Sequence, residues 1–374
     1  MGDGRNAIWC IPALFHAKDK RVPVTGFYAS ETIRTLLWKR RNVFLCYNRP
    51  RLYNSRTTWT TGCSLPLRQR RSSLMSEKIR FSELMKKRST LSFEVYPPKT
   101  ERGMQNLPGM IGRLGQLRPD YISCTYGAGG SNVGKNQEVL REVSKVTTPV
   151  THLTCIGQTK ESVRQQLQQY LDQGVTHILA LRGDIPRGQE GTGGEFQHAT
   201  DLVRFIREEF GDTFEIAVAG TPGGHLESSS FESDILHLKQ KQDLGADYII
   251  TQLCFDMDVF RRWHDAVRKA GITLPIDAGI MPVISKKSIL NMCFSHNACP
   301  VPRELALVLT HHWFDTDPDG NEIPGVKAAF RDEGLDYTVS LLEQYVAEGV
   351  EGIHLYTMDR SEDVTEVLHR VGLR

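Results

Sequence analysis

Leu91-Ser92-Phe93-Glu94-Val95 runs straight into Tyr96-Pro97-Pro98, and the reading of this stretch decides the fold. Strand alternation puts Leu91, Phe93 and Val95 on one face and Ser92 and Glu94 on the other. The two prolines then end the ladder. In a parallel strand both faces are covered, so a carboxylate there is costly unless it has a partner. The same kind of ending recurs along the chain. Ile178-Leu179-Ala180-Leu181 passes directly into Arg182-Gly183-Asp184, and polar groups also mark the other apolar runs at Thr125, His152, Gln252 and Tyr356. A (β/α)₈ barrel gathers its chemistry at the C-terminal ends of its strands. The pattern therefore predicts an α/β fold of the TIM-barrel type, and an enzyme.

Outward from that stretch, strands are expected at residues 91–95, 121–125, 150–155, 177–181, 216–219, 248–253, 276–283 and 352–356. Helices fill the intervals near 103–117, 134–146, 159–173, 198–210, 231–244 and 257–270. Two or more helices are expected within 286–345, and a short one closes the chain. The helix over 159–173 carries Val163, Leu167, Tyr170 and Leu171 at helical spacing and stops at Gly174. An open doubly wound sheet also alternates strands and helices. It would concentrate polar endings at its switch point, whereas here they recur on nearly every strand.

The chain has 374 residues with 24% charged and 40% hydrophobic side chains, as in ordinary soluble proteins. Charge is unevenly spread. Residues 1–74 hold 14 Lys/Arg and 3 Asp/Glu, and residues 75–374 hold 32 and 41. An acidic body lacks the basic face that nucleic-acid binding needs. No uninterrupted apolar stretch approaches the ~18 residues of a membrane span. The eight Cys form no C-x-x-C pair and no metal-ligand spacing. Cys124, Cys155 and Cys254 lie within or at the ends of apolar runs and read as small buried hydrophobes in a reducing compartment. No metal is expected.

Residues 1–74 read as a basic N-terminal extension, disordered or not part of the mature protein, ahead of a barrel domain over 75–374. Met75 is a plausible start. An organelle transit peptide has the same Arg/Ser-rich, acid-poor composition, so the expected location is cytoplasmic, or mitochondrial if that segment is a transit peptide.

Among the candidate residues, burial of Glu94 is expected to raise its pKa, which suits a general acid; the alternative is a structural ion pair. Asp184 follows Gly183, which permits close approach to a ligand; an Arg182–Asp184 turn pair is the plainer reading. Gln252 offers an amide donor and acceptor for a heterocycle edge, or is a satisfied core amide. A lone His such as His152 is more often a satisfied core residue than a ligand. His225 sits in a Gly-rich loop suited to ligands, and Lys241 is either solvated or paired with a phosphate. Two nucleotide motifs fail. Gly129-Gly130-Ser131-Asn132-Val133-Gly134-Lys135-Asn136 has Asn where a P-loop needs Ser or Thr, and Gly127 and Gly129 lack the third glycine of the dinucleotide fingerprint.

The chain resembles the methylenetetrahydrofolate reductase family. The resemblance rests on Ser92-Phe93-Glu94 with Pro97-Pro98-Lys99-Thr100, Thr125-Tyr126-Gly127-Ala128, His152-Leu153-Thr154-Cys155 and Ala180-Leu181-Arg182-Gly183-Asp184. Ile250-Thr251-Gln252, Gly279-Ile280-Met281-Pro282 and His354-Leu355-Tyr356-Thr357 with Arg360 complete it. It implies a barrel that binds FAD non-covalently, is reduced by NADH or NADPH, and then reduces 5,10-methylenetetrahydrofolate to 5-methyltetrahydrofolate in a ping-pong scheme serving methionine synthesis. It also carries an expectation of a homo-oligomer. By the same resemblance Glu94 is the acid that protonates folate N10, and Asp184 the flavin-side carboxylate. Gln252, Tyr356 and Arg360 are folate contacts, and Thr125, His152, Leu181, Arg182, Gly183, Asp184, His225 and Lys241 form the FAD set. The chain departs from the family at Thr221, where an aromatic is usual, and at His237, Gln240 and Met292. Its end soon after the eighth strand implies the short form, without a C-terminal regulatory domain. Competing readings are another flavin-dependent barrel oxidoreductase, of the proline dehydrogenase kind, and a non-catalytic flavin- or folate-binding subunit.

Overall fold

The computed structural model describes residues 79–125, 133–186, 188–294, 299–312, 314–317, 321 and 323–372. The expectations for residues 1–74, for the Met75 start and for the Gly-rich stretch at 126–132 fall outside the described residues.

Eight parallel strands close into a barrel in chain order. They are β1 (Thr90–Val95), β2 (Tyr121–Cys124), β3 (Thr148–Thr154), β4 (His177–Leu181), β5 (Glu215–Gly220), β6 (Tyr248–Thr251), β7 (Ile276–Ile280) and β8 (Gly352–Tyr356). β1 pairs with both β2 and β8, which seals the ring. The predicted strands all form, within a few residues of the expected ends. The helices are α1 (Phe81–Met85), α2 (Glu101–Gln116), α3 (Val133–Val143), α4 (Lys160–Asp172), α5 (Ala199–Phe210) and α6 (Phe231–Asp243). They continue with α7 (Met257–Lys269), α8 (Lys286–Cys293), α9 (Arg303–His311), α10 (Val326–Glu348) and α11 (Ser361–Arg370).

Alternation sorts each strand into two faces. Phe93, Val95, Ile122, Leu153, Ile178, Ile216, Ile249 and Leu355 point outward into the layer between barrel and helices, all fully buried. The inward set is separate and includes Tyr121, Val150, Leu179, Ala217, Tyr248 and Ile250. Helix α7 shows how a helix covers the barrel. Met257, Phe260, Trp263 and Val267 recur at three- and four-residue spacing and are buried, and Asp256 caps the first turn by accepting from the Asp258 and Val259 amides.

Helix α1 is not legible as a helix in the sequence. It closes the barrel floor, with Phe81 fully buried against Tyr121 and His177. The Glu215 carboxylate accepts from the Phe81 amide at 2.7 Å and from the Ser82 amide at 2.9 Å. Burial works against that carboxylate, but His177, the Ser82 hydroxyl and the Ser82 amide together hold its pKa below the usual range. The floor is thus anchored, and the opposite, C-terminal face is left for chemistry.

Candidate active site at the C-terminal face of the barrel

Glu94 is the next-to-last residue of β1 and points inward. Its relative exposure is 6%, so its carboxylate depends on protein partners rather than water. Thr125, just past β2, donates its hydroxyl to Oε1 at 3.1 Å. On the other oxygen, His152 Nε2 of β3 lies at 3.6 Å and His354 Nε2 of β8 at 3.5 Å. Two imidazoles, the Thr125 hydroxyl and the Tyr96 phenol therefore meet one buried acid.

The sequence-based expectation of a raised Glu94 pKa is corrected here. Burial does push it up, as the largest single influence, but His152, His354 and Thr125 together hold it below the usual carboxylate range. Burial also drives His152 down, with Glu94 pulling it back only in part. In the free site the negative charge stays on Glu94.

Behind this cluster a polar seam runs down the barrel interior. His354 Nδ1 lies 2.7 Å from Ser92 Oγ. Ser92 donates to Asp277 Oδ2 of β7 at 2.9 Å, and the Tyr121 hydroxyl donates to the same oxygen at 2.7 Å. Ser92, Asp277 and His354 are all fully buried. Sequence reading missed Asp277, Tyr121 and the role of His354. The signal was present at Asp277, an acid inside an apolar parallel strand, as at Glu94.

The remaining candidates occupy the rim. Tyr356 ends β8 and donates its hydroxyl to Thr251 O at 2.8 Å. Gly279 makes that possible, since a Cβ there would sit 2.2 Å from Thr251 O and 2.8 Å from the Tyr356 ring. Gln252 directly follows β6 and accepts from the Leu253 amide through Oε1 at 2.9 Å. Leu181 ends β4. Gly183 follows at φ +85°, where a Cβ would come within 2.8 Å of Ile156 Cγ1, so glycine is required by both torsion and space. Asp184 is exposed on the same rim. Glu94, Asp184 and Gln252 thus lie at the C-terminal ends of β1, β4 and β6, on one face of the closed barrel.

Basic groups collect beyond β4 and β5. Arg182 pairs with Glu227, whose amide donates to His225 Nδ1 at 3.2 Å. Arg182's plainer expected partner, Asp184, acts on it only as a weaker neighbouring charge. Lys241 on α6 is part-buried and donates to Ala219 O at 3.0 Å. Burial lowers its pKa, with Asp234 opposing. An ammonium in that state gains from an added anion. Arg360 lies apart from the buried cluster. It is exposed, pairs with Asp363 at 2.9 Å, and lines a cavity of about 250 Å³ with Arg113, Arg331 and Ser361 at the start of α11.

Asn136, at the failed P-loop position, is fully buried. It donates to Thr125 O at 3.4 Å and accepts from Thr151, which is a structural role. Cys124, Cys155 and Cys254 are free and buried, as expected. Among the described residues no helix is long and apolar enough to cross a membrane.

The barrel is similar to that of a Clostridium thermocellum protein described as binding two copies of 5-methyl-5,6,7,8-tetrahydrofolic acid. The TM-score is 0.54 at 13% identity, over 78% of this chain and 97% of that one, a likeness of fold. Sequence comparison is closer. The methylenetetrahydrofolate reductase profile matches residues 79–372. Methylenetetrahydrofolate reductase 1 of Schizosaccharomyces pombe is 36% identical over 295 residues, covering 77% of this chain and 47% of its own length. Methylenetetrahydrofolate reductase (NADH) 1 of Arabidopsis thaliana is 34% identical, over 76% of this chain and 48% of its own. The chain thus spans about half the length of these relatives. It covers 91% of the 5,10-methylenetetrahydrofolate reductase of Pectobacterium carotovorum, at 34% identity over 289 residues. With the profile matched over residues 79–372 and identities of 36% and 34% to named relatives, the chain belongs to the methylenetetrahydrofolate reductase family.

Proposed function

We propose that this chain reduces 5,10-methylenetetrahydrofolate to 5-methyltetrahydrofolate at the C-terminal face of the barrel, with NADH as electron donor and FAD held non-covalently. The observation that carries the reading is Glu94, a buried carboxylate at the barrel mouth with an imidazole on each side. An acid so placed has a role in proton transfer to a bound ligand, and the plant relative's name supports the choice of NADH. When bound, the flavin supplies the hydride chemistry between the two substrates.

The protein's own groups bind, orient and move a proton. Glu94 delivers a proton to folate N10, which opens the five-membered ring and makes its methylene carbon an acceptor. Gln252 and Tyr356 orient the heterocycle from β6 and β8, and Arg360 takes the glutamate end. Arg182, His225 and Lys241 hold the diphosphate, Thr125, His152, Leu181 and Gly183 shape the rest of the flavin site, and Asp184 faces the ring system. The working protein is proposed to be a homo-oligomer.

Glu94→Gln tests the reading. NADH-driven flavin reduction should stay near wild type, while folate reduction slows at least about 100-fold, the lower range for general acid catalysis. Equal slowing of both half-reactions removes Glu94 from that role.

A further inference from the structure

Asp277 is fully buried on β7 and has no place in the scheme above. Its pKa is pushed up to about 6, chiefly by burial, with His354, Tyr121 and Ser92 opposing. Groups face it from every neighbouring strand. Tyr121 comes from β2 and Tyr248 from β6; Ser92 comes from β1, and His354 and Tyr356 from β8. Asp120 lies below, before β2.

The proton inventory of this seam is constrained. Tyr121 is held as a phenol, because burial and the Asp277 charge push its pKa far up. Its one proton goes to Asp277 Oδ2. Ser92 also has one hydroxyl proton, and the Asp277 carboxylate Oδ2 at 2.9 Å and Ile353 O at 3.3 Å can only accept it. Ser92 therefore has only lone pairs left for His354 Nδ1, 2.7 Å away. A contact that short needs a proton between the atoms, so Nδ1 must be the N–H. That leaves the Nε2 lone pair facing Glu94 at 3.5 Å.

We propose that Asp277 is a positioning residue: through Ser92 it fixes His354 as the Nδ1–H tautomer, leaving Nε2 to share one transferable proton with Glu94. The inference rests on the proposed reading of Glu94 as the acid. The shared proton sits either on Glu94 or on Nε2. When substrate takes it, the Glu94 O–H bond breaks and an N–H bond forms on the folate. The carboxylate regains a proton from solvent after product leaves, and no electrons move in either step. With the opposite tautomer, Nε2–H would be permanent, and Glu94 would remain a satisfied carboxylate with nothing to give. The logic parallels an aspartate that holds a catalytic imidazole in its working tautomer.

Asp277→Asn separates the cases, because its amide can donate to Ser92 and free the hydroxyl proton for Nδ1. Full-length protein with its flavin bound, labelled with ¹⁵N-histidine, reports which ring nitrogen carries the proton. The chain has 12 His, so the His354 signals are assigned by their loss in His354→Gln. Wild type should show a protonated Nδ1. Asp277→Asn should show the proton moved to Nε2, with folate reduction slowed roughly 10- to 100-fold and flavin reduction by NADH within about twofold. Ser92→Ala, which removes the link without touching the acid, should also lose the Nδ1–H preference, and it serves if Asp277→Asn does not fold. An unprotonated Nδ1 in wild type, or an unchanged tautomer in both variants, overturns the inference. Wild-type protein that never reduces the folate would overturn the proposed function instead, and the nitrogen spectra would still decide the tautomer.

Discussion

Replacing Asp277 by Asn should make stability depend on pH in a way that can be worked out beforehand. The side chains have the same shape, so packing is nearly conserved. What changes with pH is titration. In the folded barrel the Asp277 carboxyl is raised from 3.8 to about 6, mainly by burial. A raised carboxyl binds its proton more tightly when folded. Its stabilising contribution is therefore full below the unfolded pKa and is lost as pH rises through the folded one. That rise corresponds to roughly 3 kcal/mol over the whole range, of which about 1 kcal/mol falls between pH 5 and pH 8. Asn does not titrate. The difference in unfolding free energy, variant minus wild type, should thus grow by about 1 kcal/mol from pH 5 to pH 8. Urea unfolding at both pH values measures it, with coincident fluorescence and circular dichroism transitions as the check on two-state behaviour. A difference that stays flat, or that shrinks toward pH 8, would show that Asp277 is ionised at least as easily in the fold as in the open chain.

Asp184→Asn should shift the flavin reduction potential and slow folate turnover; an unchanged potential takes Asp184 out of the flavin site. Gly279→Ala should place a methyl 2.2 Å from Thr251 O and break the Tyr356–Thr251 hydrogen bond. Stability should fall by about 1–3 kcal/mol, and the KM for folate should rise more than that for NADH; equal changes in both would refute a folate-orienting Tyr356. Phe81→Ala should cost about 3–5 kcal/mol by emptying the barrel floor, while the flavin spectrum of the folded fraction stays the same. An altered spectrum would mean that floor and mouth are coupled.

The strands were legible because a closed barrel needs alternation that no helix reproduces. Leu91, Phe93 and Val95 face the helices while Ser92 and Glu94 face the interior, as their order in the chain requires. Rim residues were legible because chain order alone carries them there once the ring closes. Helix α1 was not, since Phe81–Met85 is too short to show a period and its cap, Glu215, lies 134 residues away. The direction of the Glu94 shift was missed for a related reason. Burial is local and can be read from alternation, but the His354 ring arrives from the last strand. Asp277 could have been found by the argument used for Glu94. Its partner Ser92, 185 residues distant, could not.

The most direct measurement is spectroscopic and uses the purified full-length protein without added flavin. The account predicts a yellow protein whose visible flavin band bleaches on anaerobic addition of NADH and returns on addition of 5,10-methylenetetrahydrofolate, with 5-methyltetrahydrofolate formed in equal amount. A colourless protein that takes up no FAD, or a bleached band that the folate fails to restore, would contradict it.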